Sequence, residues 1–267
     1  MTTDTVRAPP SYLDVGAGET HRRIAVRAFR GAEPTLVWLG GYRSDMLGTK
    51  AERLSALAEA ERFGFCRFDY SGHGESSGTF EEGTISRWLD DARAVFDATV
   101  SGPAILVGSS MGAWIALRLV ADLRRDGLGD RIAGLLLLAP APDFTRRLVE
   151  PKLSDLQKRD LADKGFCTKP SAYSDQPTVY TRTLLEDGAR NLVMDGLIET
   201  GCPVHIIQGM ADPDVPYTHA LDLVSSLPGD GVILTLIRDG DHRLSREEDL
   251  ARIEQAAREL AAVTNAV

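Results

Sequence analysis

Residues 103–125, PAILVGSSMGAWIALRLVADLRR, join a continuous apolar run to a helix-forming one across Gly108-Ser109-Ser110-Met111-Gly112. The run PAILVG is apolar without alternation, which reads as a strand covered on both faces. The residues from Ser110 to Arg125 read as the helix that follows it. Glycine, any residue, serine, any residue, glycine is a weak pattern alone, because three fixed positions in five recur by chance. Between a buried strand and a helix it acquires a mechanism. A serine there occupies a tight, strained turn, and the glycines two positions either side remove side chains that would collide. The helix N-terminus also offers backbone N–H groups, notably that of Met111, to a reacting carbonyl oxygen. Ser109 lacks a glycine two residues before it, so Ser110 is the candidate nucleophile. The plain alternative, a serine cap after a strand, explains the serines but not both glycines.

Outward from this stretch, short β-rich runs alternate with helical ones. RIAVRAFR (23–30) alternates as a half-solvated strand does, while TLVWL (35–39), FCRFDY (65–70), the run 132–139, PVHIIQ (203–208) and VILTLI (232–237) complete the strand series. Helices are expected over 50–62, 84–100, 217–227 and 246–263. This order predicts an α/β fold: a mostly parallel central sheet with helices on both faces. The rhythm breaks between residues 142 and 201, which are charged and helix-prone and contain no convincing strand. A structureless loop of that length is improbable. The expected organisation is therefore a core of residues 1–141 and 202–267 with a helical lid inserted at 142–201.

The bulk chemistry excludes several classes. Among 267 residues, 43% are hydrophobic and 26% charged, the mix of a globular protein of one large domain. The net charge of −9 and the lack of a lysine–arginine stripe speak against nucleic acid as a partner. Cys66, Cys167 and Cys202 are an odd number without close spacing, which predicts buried free thiols rather than disulfides or zinc ligands. The first residues, MTTDTVRAPPSYLDVG, resemble neither a signal peptide nor a transit peptide, and no apolar run approaches the roughly 18 residues that span a bilayer. A cytoplasmic location without a membrane span is expected. There is no HExxH, no phosphate loop and no dinucleotide fingerprint, so neither a metal nor a cofactor is expected.

A serine hydroxyl needs a base, and the base an orienting carboxylate. His21 lies in an early turn, His73 in the loop SGHGESSG, His205 within a strand and His219 at the start of an expected surface helix. His242 follows the last strand in RDGDHRLS, in the loop before the final helix. In the chain order serine, acid, histidine that goes with a nucleophile turn of this kind, only His205, His219 and His242 come late enough, and only His242 occupies a loop at the right edge, so it is the candidate base. Asp212, in GMADPDVP just after a strand, is the leading candidate acid, with Asp143 and Asp214 as alternatives, Asp214 more plausibly capping the next helix. Asp239 and Asp241 flank His242 too closely to orient its ring and are expected in the turn. After TLVWL comes Gly40-Gly41-Tyr42, where the Tyr42 N–H joins that of Met111 as a candidate oxyanion-hole donor.

With these residues placed, the chain resembles the α/β-hydrolases over essentially its whole length, through GSSMG (108–112), DYSGHGESSG (69–78), GMADPDVP (209–216) and GDHR (240–243). A closer likeness is to the mitochondrial acyl-glucuronide esterase and palmitoyl-protein thioesterase group, through GYRSDMLGTKA (41–51), RFDYSGHGESSGTFEEGT (67–84), ILVGSSMGAW (105–114), QGMADPDVP (208–216) and DGDHRL (239–244). The lack of a transit peptide suggests a bacterial relative. The resemblance implies Ser110, Asp212 and His242 as a triad and cleavage of a small-molecule ester or thioester, with an S-acylated protein as a further candidate partner. Departures concentrate in 142–201, which shapes the acyl pocket, so the substrate transfers poorly. A hydrolase of C–C bonds in ring-cleavage products would use the same triad. A catalytically silent binding protein of this fold would be expected to lack a triad residue, and a dehalogenase would carry aspartate in place of Ser110.

Overall fold

The inner strands of the central sheet are apolar on both sides because alternate residues feed two separate cores. In the computed structural model, which describes residues 9–170, 176–229 and 231–264, the elements run β1 (Ser11–Val15), β2 (Arg22–Phe29), β3 (Ala32–Leu39), α1 (Thr49–Glu61), β4 (Phe63–Phe68), α2 (Ile85–Thr99), β5 (Ala104–Ser109), α3 (Met111–Arg125) and β6 (Ile132–Leu138). After β6 come α4 (Asp155–Lys164), β7 (Phe166–Lys169), β8 (Thr178–Thr181), α5 (Arg182–Arg190), β9 (Val204–Gly209), α6 (Tyr217–Ser225), β10 (Val232–Ile237) and α7 (Glu247–Thr264). Eight strands form one sheet in the order β1-β2-β4-β3-β5-β6-β9-β10. The β1–β2 and β2–β4 pairs are antiparallel and the remaining pairs parallel.

Val37, Leu39, Leu106, Leu135 and Leu137 face one core with Trp88 of α2 and Trp114 and Leu117 of α3. Leu36, Trp38, Ile105, Val107, Leu136 and Leu138 face the other, with Leu54 and Leu57 of α1 and Ile253 and Leu260 of α7. Burial on both faces is what makes these strands read as unbroken apolar runs. The parallel order brings the carboxyl ends of β3, β5, β6, β9 and β10 to one edge, where such a sheet exposes its ligand-binding crevice.

The 142–201 segment differs from the expectation in two ways. It carries a strand pair: β7 and β8 form an antiparallel hairpin, Phe166 opposite Thr181 and Lys169 opposite Thr178. FCTK and TVYT are too short and polar to announce themselves as strands. The ends of the segment are also part of the body. Phe144, Leu184, Met194 and Ile198 belong to the main core, and the Trp114 indole donates to the Asn191 carbonyl at 2.9 Å. From the outer part, Leu148, Val149, Lys169, Thr178 and Tyr180 line a cavity together with Ser110 at the carboxyl edge of the sheet. No helix among the described residues is long and apolar enough to cross a membrane. The three cysteines are free thiols, Cys66 and Cys167 buried and Cys202 half-buried.

Candidate active site

Ser110 stands between β5 and α3 with φ 55° and ψ −117°, a left-handed conformation that favours glycine. The neighbouring glycines explain how the turn closes. A Cβ on Gly108 would sit 2.6 Å from the Gly112 carbonyl oxygen, and one on Gly112 would overlap the carbonyl of Leu39 at the end of β3. Strain at Ser110 thus rests on close backbone approaches that other residues would forbid.

Ser110 Oγ lies 3.1 Å from His242 Nε2, and His242 Nδ1 lies 2.7 Å from Asp212 Oδ2. A carboxylate can only accept, so Nδ1 carries the ring hydrogen and Nε2 is left as the acceptor for the Ser110 hydroxyl. Asp212 Oδ1 accepts the backbone N–H groups of Asp214 (2.8 Å) and Val215 (2.9 Å), and Gln208 Nε2 donates to Oδ2 at 3.2 Å. Burial pushes the Asp212 carboxyl up, but the bond and charge of His242 with the two backbone donors outweigh it and hold it below the ordinary carboxylate value. Asp212, Asp214 and His242 bring donor atoms within 4.8 Å of one another, a spacing open to a cation. The Asp212 oxygens, however, already accept four bonds.

The other aspartates do different work. Asp143 is fully buried and accepts the N–H groups of Val193 and Met194, both at 2.9 Å, closing the base of the 142–201 segment. Asp214 does not cap α6; its N-cap position is Pro216, and no side chain bonds there. Asp239 pairs with Arg246 at 2.6 Å, and Asp241 accepts the Leu244 N–H at 3.0 Å. His219, expected at the surface, is buried and bonded through Nε2 to the Pro142 carbonyl. His205 bonds Thr235 between β9 and β10 at 3.0 Å.

Tyr42 and Met111 both line the cavity over Ser110, and a Cβ on Gly41 would lie 3.4 Å from that of Ser110. Neither the Tyr42 nor the Met111 N–H donates to another described residue. Two polar residues were not singled out from the sequence. Gln208, next to last in β9, fixes the Asp212 turn through the Val215 carbonyl (3.1 Å) as well as Asp212 itself. His73 accepts the Arg43 N–H, one residue beyond Tyr42. The signal for both was position: each sits at or just past the carboxyl end of a strand.

The cavity, of about 180 Å³, is walled by Met111, Ala141, Phe144, Leu148, Val149 and Tyr180, and the exposed Lys152 and Lys169 also line it. Tyr42 packs against Phe80, Trp88, Phe144 and Tyr180, and its hydroxyl donates to the Val179 carbonyl. The loop after β3 is thereby tied to the β7–β8 hairpin.

Residues 36–257 match the family described as the alpha/beta hydrolase family. The chain belongs to this family. Among curated alpha/beta hydrolases it is similar to the mitochondrial palmitoyl-protein thioesterase ABHD10 of Mus musculus, 30% identical over 230 residues that span 85% of this chain and 75% of that protein. Human ABHD10 is 29% identical over 228 residues, 85% of this chain and 72% of that protein. Among solved structures, a protein of Agrobacterium vitis S4 superposes with a TM-score of 0.92 at 53% identity, covering 94% of this chain and 98% of the other. Mouse alpha/beta hydrolase domain-containing protein 10 superposes at 0.82 with 27% identity, again over 94% and 98%.

Proposed function

We propose that this alpha/beta hydrolase is a serine hydrolase that cleaves carboxylic esters or thioesters through an acyl-enzyme on Ser110. The observation that carries the reading is the imidazole of His242, bonded on one side to Ser110 Oγ and on the other to the Asp212 carboxylate. In the proposed reaction Ser110 Oγ attacks the substrate carbonyl carbon while its proton passes to His242 Nε2. Asp212 holds the imidazolium that forms. The carbonyl oxygen, now an oxyanion, is met by the Tyr42 and Met111 N–H groups. The carbon–oxygen or carbon–sulfur bond then breaks as His242 returns its proton to the leaving alcohol or thiol. Water attacks the acyl-enzyme, gives a proton to the same nitrogen, and that proton restores the Ser110 hydroxyl as the carboxylic acid departs. The chain, the substrate and one water account for every atom and proton.

The names of the ABHD10 relatives favour thioesters among the substrates. The cavity of about 180 Å³ is below the 300–1,000 Å³ common for small-molecule sites, which favours a short or medium acyl group, or a longer one that runs out past Lys152 and Lys169. The test is fluorophosphonate labelling together with turnover of p-nitrophenyl esters and acyl thioesters. Ser110→Ala is expected to abolish labelling and lower turnover by about 10³-fold or more. Labelling that persists in that variant would overturn the reading.

A further inference from the structure

Ser110 and His242, with Tyr42, also line a second opening. It is a cleft of about 330 Å³ between the N-terminus of α1 and the loop after β10, walled by Trp38, Ser44, Asp45, Thr49, Lys50 and Arg243. It shares those three residues with the first cavity, but its other side chains are mostly polar where those of the first are mostly apolar. Three cationic side chains, Arg43, Lys50 and Arg243, face one acid, Asp45, in a chain whose net charge is −9. The Lys50 ammonium is anchored beside the site by donating to the carbonyl of Arg243, the residue after His242. The first turn of α1 opens here with glycine at its N-cap and no side chain bonded to it, leaving backbone donors for an acceptor. The Trp38 indole N–H, in a side chain 3% exposed, has no hydrogen-bond partner among the described residues.

A scissile ester or thioester has two halves, and His242 must reach the atom that leaves. The apolar walls suit the acyl half, so the other half falls to the cleft that shares Ser110 and His242. We propose that this cleft is the leaving-group subsite, and that Lys50, with Arg243 and the α1 N-terminus, selects alcohols or thiols bearing a carboxylate or phosphate. The assignment rests on the hydrolase reading above. Lys50 is half-buried, and burial and then the Arg243 charge draw its pKa down to about 8, opposed by Asp241 and Asp249. A bound anion would offset the cost of that partly desolvated ammonium.

The test uses one acyl group on four thiols: octanoyl thioesters of N-acetylcysteamine (neutral), mercaptopropionate (carboxylate), coenzyme A (phosphates) and thiocholine (cationic). At pH 7, kcat/KM for at least one anionic thioester is expected about tenfold above the neutral one, as a charge-assisted contact provides. The mercaptopropionate and coenzyme A arms distinguish a carboxylate near the sulfur from phosphates farther out. Lys50→Met should bring that ratio to within about twofold of unity, and Lys50→Glu should invert it in favour of thiocholine. If Lys50→Glu does not fold, Lys50→Met, which keeps the length of the stem, carries the test. A ratio unchanged by these substitutions, in protein that still cleaves the thioesters, overturns the subsite alone. A wild-type protein that cleaves none of them and resists fluorophosphonate overturns the hydrolase reading, and the subsite with it.

Discussion

His73 Nε2 accepts the backbone N–H of Arg43 at 3.2 Å, while its Nδ1 faces the Ser71 carbonyl at 3.3 Å. One neutral ring thus joins the loop after β4 to the loop that carries Tyr42. Arg43 has φ 58°, so the bond holds a left-handed residue directly beyond the proposed oxyanion donor. The ring is 4% exposed and packed edge-on against Tyr70, Phe80 and Trp88. His73 is a positioning residue in this reading. His73→Ala is expected to lower kcat about tenfold with little change in KM, because a loosened loop misplaces a transition-state donor more than it weakens ground-state binding. A fall in apparent kcat no larger than the loss of fluorophosphonate-titratable, folded protein would assign it to folding alone.

The same ring gives a pH dependence. Burial draws the His73 pKa down from 6.5 to about 4, the Ser71 carbonyl pulling it back up and the Arg43 charge lowering it further. The unfolded chain therefore binds a proton that the folded chain refuses between these values. Stability from this group is complete above pH 6.5 and is lost as pH falls toward 4, by about 3 kcal/mol across the window. His205 and His219 are also shifted down by burial, so the wild-type slope has more than one source. Urea denaturation at pH 7 and pH 4.5 should show a smaller loss in His73→Gln than in the wild type.

Gly112→Ala should cost about 4 kcal/mol or more, or leave the protein insoluble. The added methyl group would run into the Leu39 and Gly40 carbonyls, which are backbone and buried against α3. Circular dichroism melting reads the effect. A variant that melts with the wild type would show that β3 can move away from the turn.

Asp143 and Asp212 should separate by phenotype. Asp143→Ala leaves the N–H groups of Val193 and Met194 without their acceptor and should cost about 2 kcal/mol or more of stability. Asp212→Asn should lower turnover by about 10³-fold or more, because the amide offers the imidazole the wrong partner. Kinetics and denaturation on both variants check this, and a larger loss of turnover in an Asp143 variant that stays folded would reverse the two roles.

Leu148→Ala should shift acyl preference toward longer chains. Leu148 walls the cavity and packs on the main core from the outer part of the 142–201 segment. Each further methylene buried contributes about 0.8 kcal/mol, roughly fourfold in kcat/KM. A p-nitrophenyl ester series with an unchanged profile would place the acyl chain elsewhere.

The sequence by itself determined the sheet and the turn at its centre. Unbroken apolar strands need cover on both faces, and two glycines around Ser110 need a close backbone approach; both are local consequences of side-chain size and periodicity. It also narrowed the polar candidates to loops at strand ends, since a buried strand interior leaves little room for an unpaired histidine or carboxylate. The sequence put Asp212 ahead of Asp143 and Asp214 by its place in the turn, and only the tertiary structure adds the partners. All three follow a strand, and in the fold they differ in which partner each one meets: His242 for the first, the backbone of Val193 and Met194 for the second, and neither for the third. The same holds for His73, which looked like any loop histidine until the chain brought Arg43 to it from 30 residues away. Strand β1, five residues long and half-exposed at the sheet edge, and the β7–β8 hairpin had too few apolar positions to show a period. Among the large apolar residues of the 142–201 segment, Phe144, Leu148 and Tyr180 line the cavity, Leu153 packs beside Leu161 and Leu185, Phe166 is exposed, and Tyr173 lies outside the described residues. Periodicity records which side of an element is covered, whereas pairing across the fold depends on long-range packing that no local window of sequence contains.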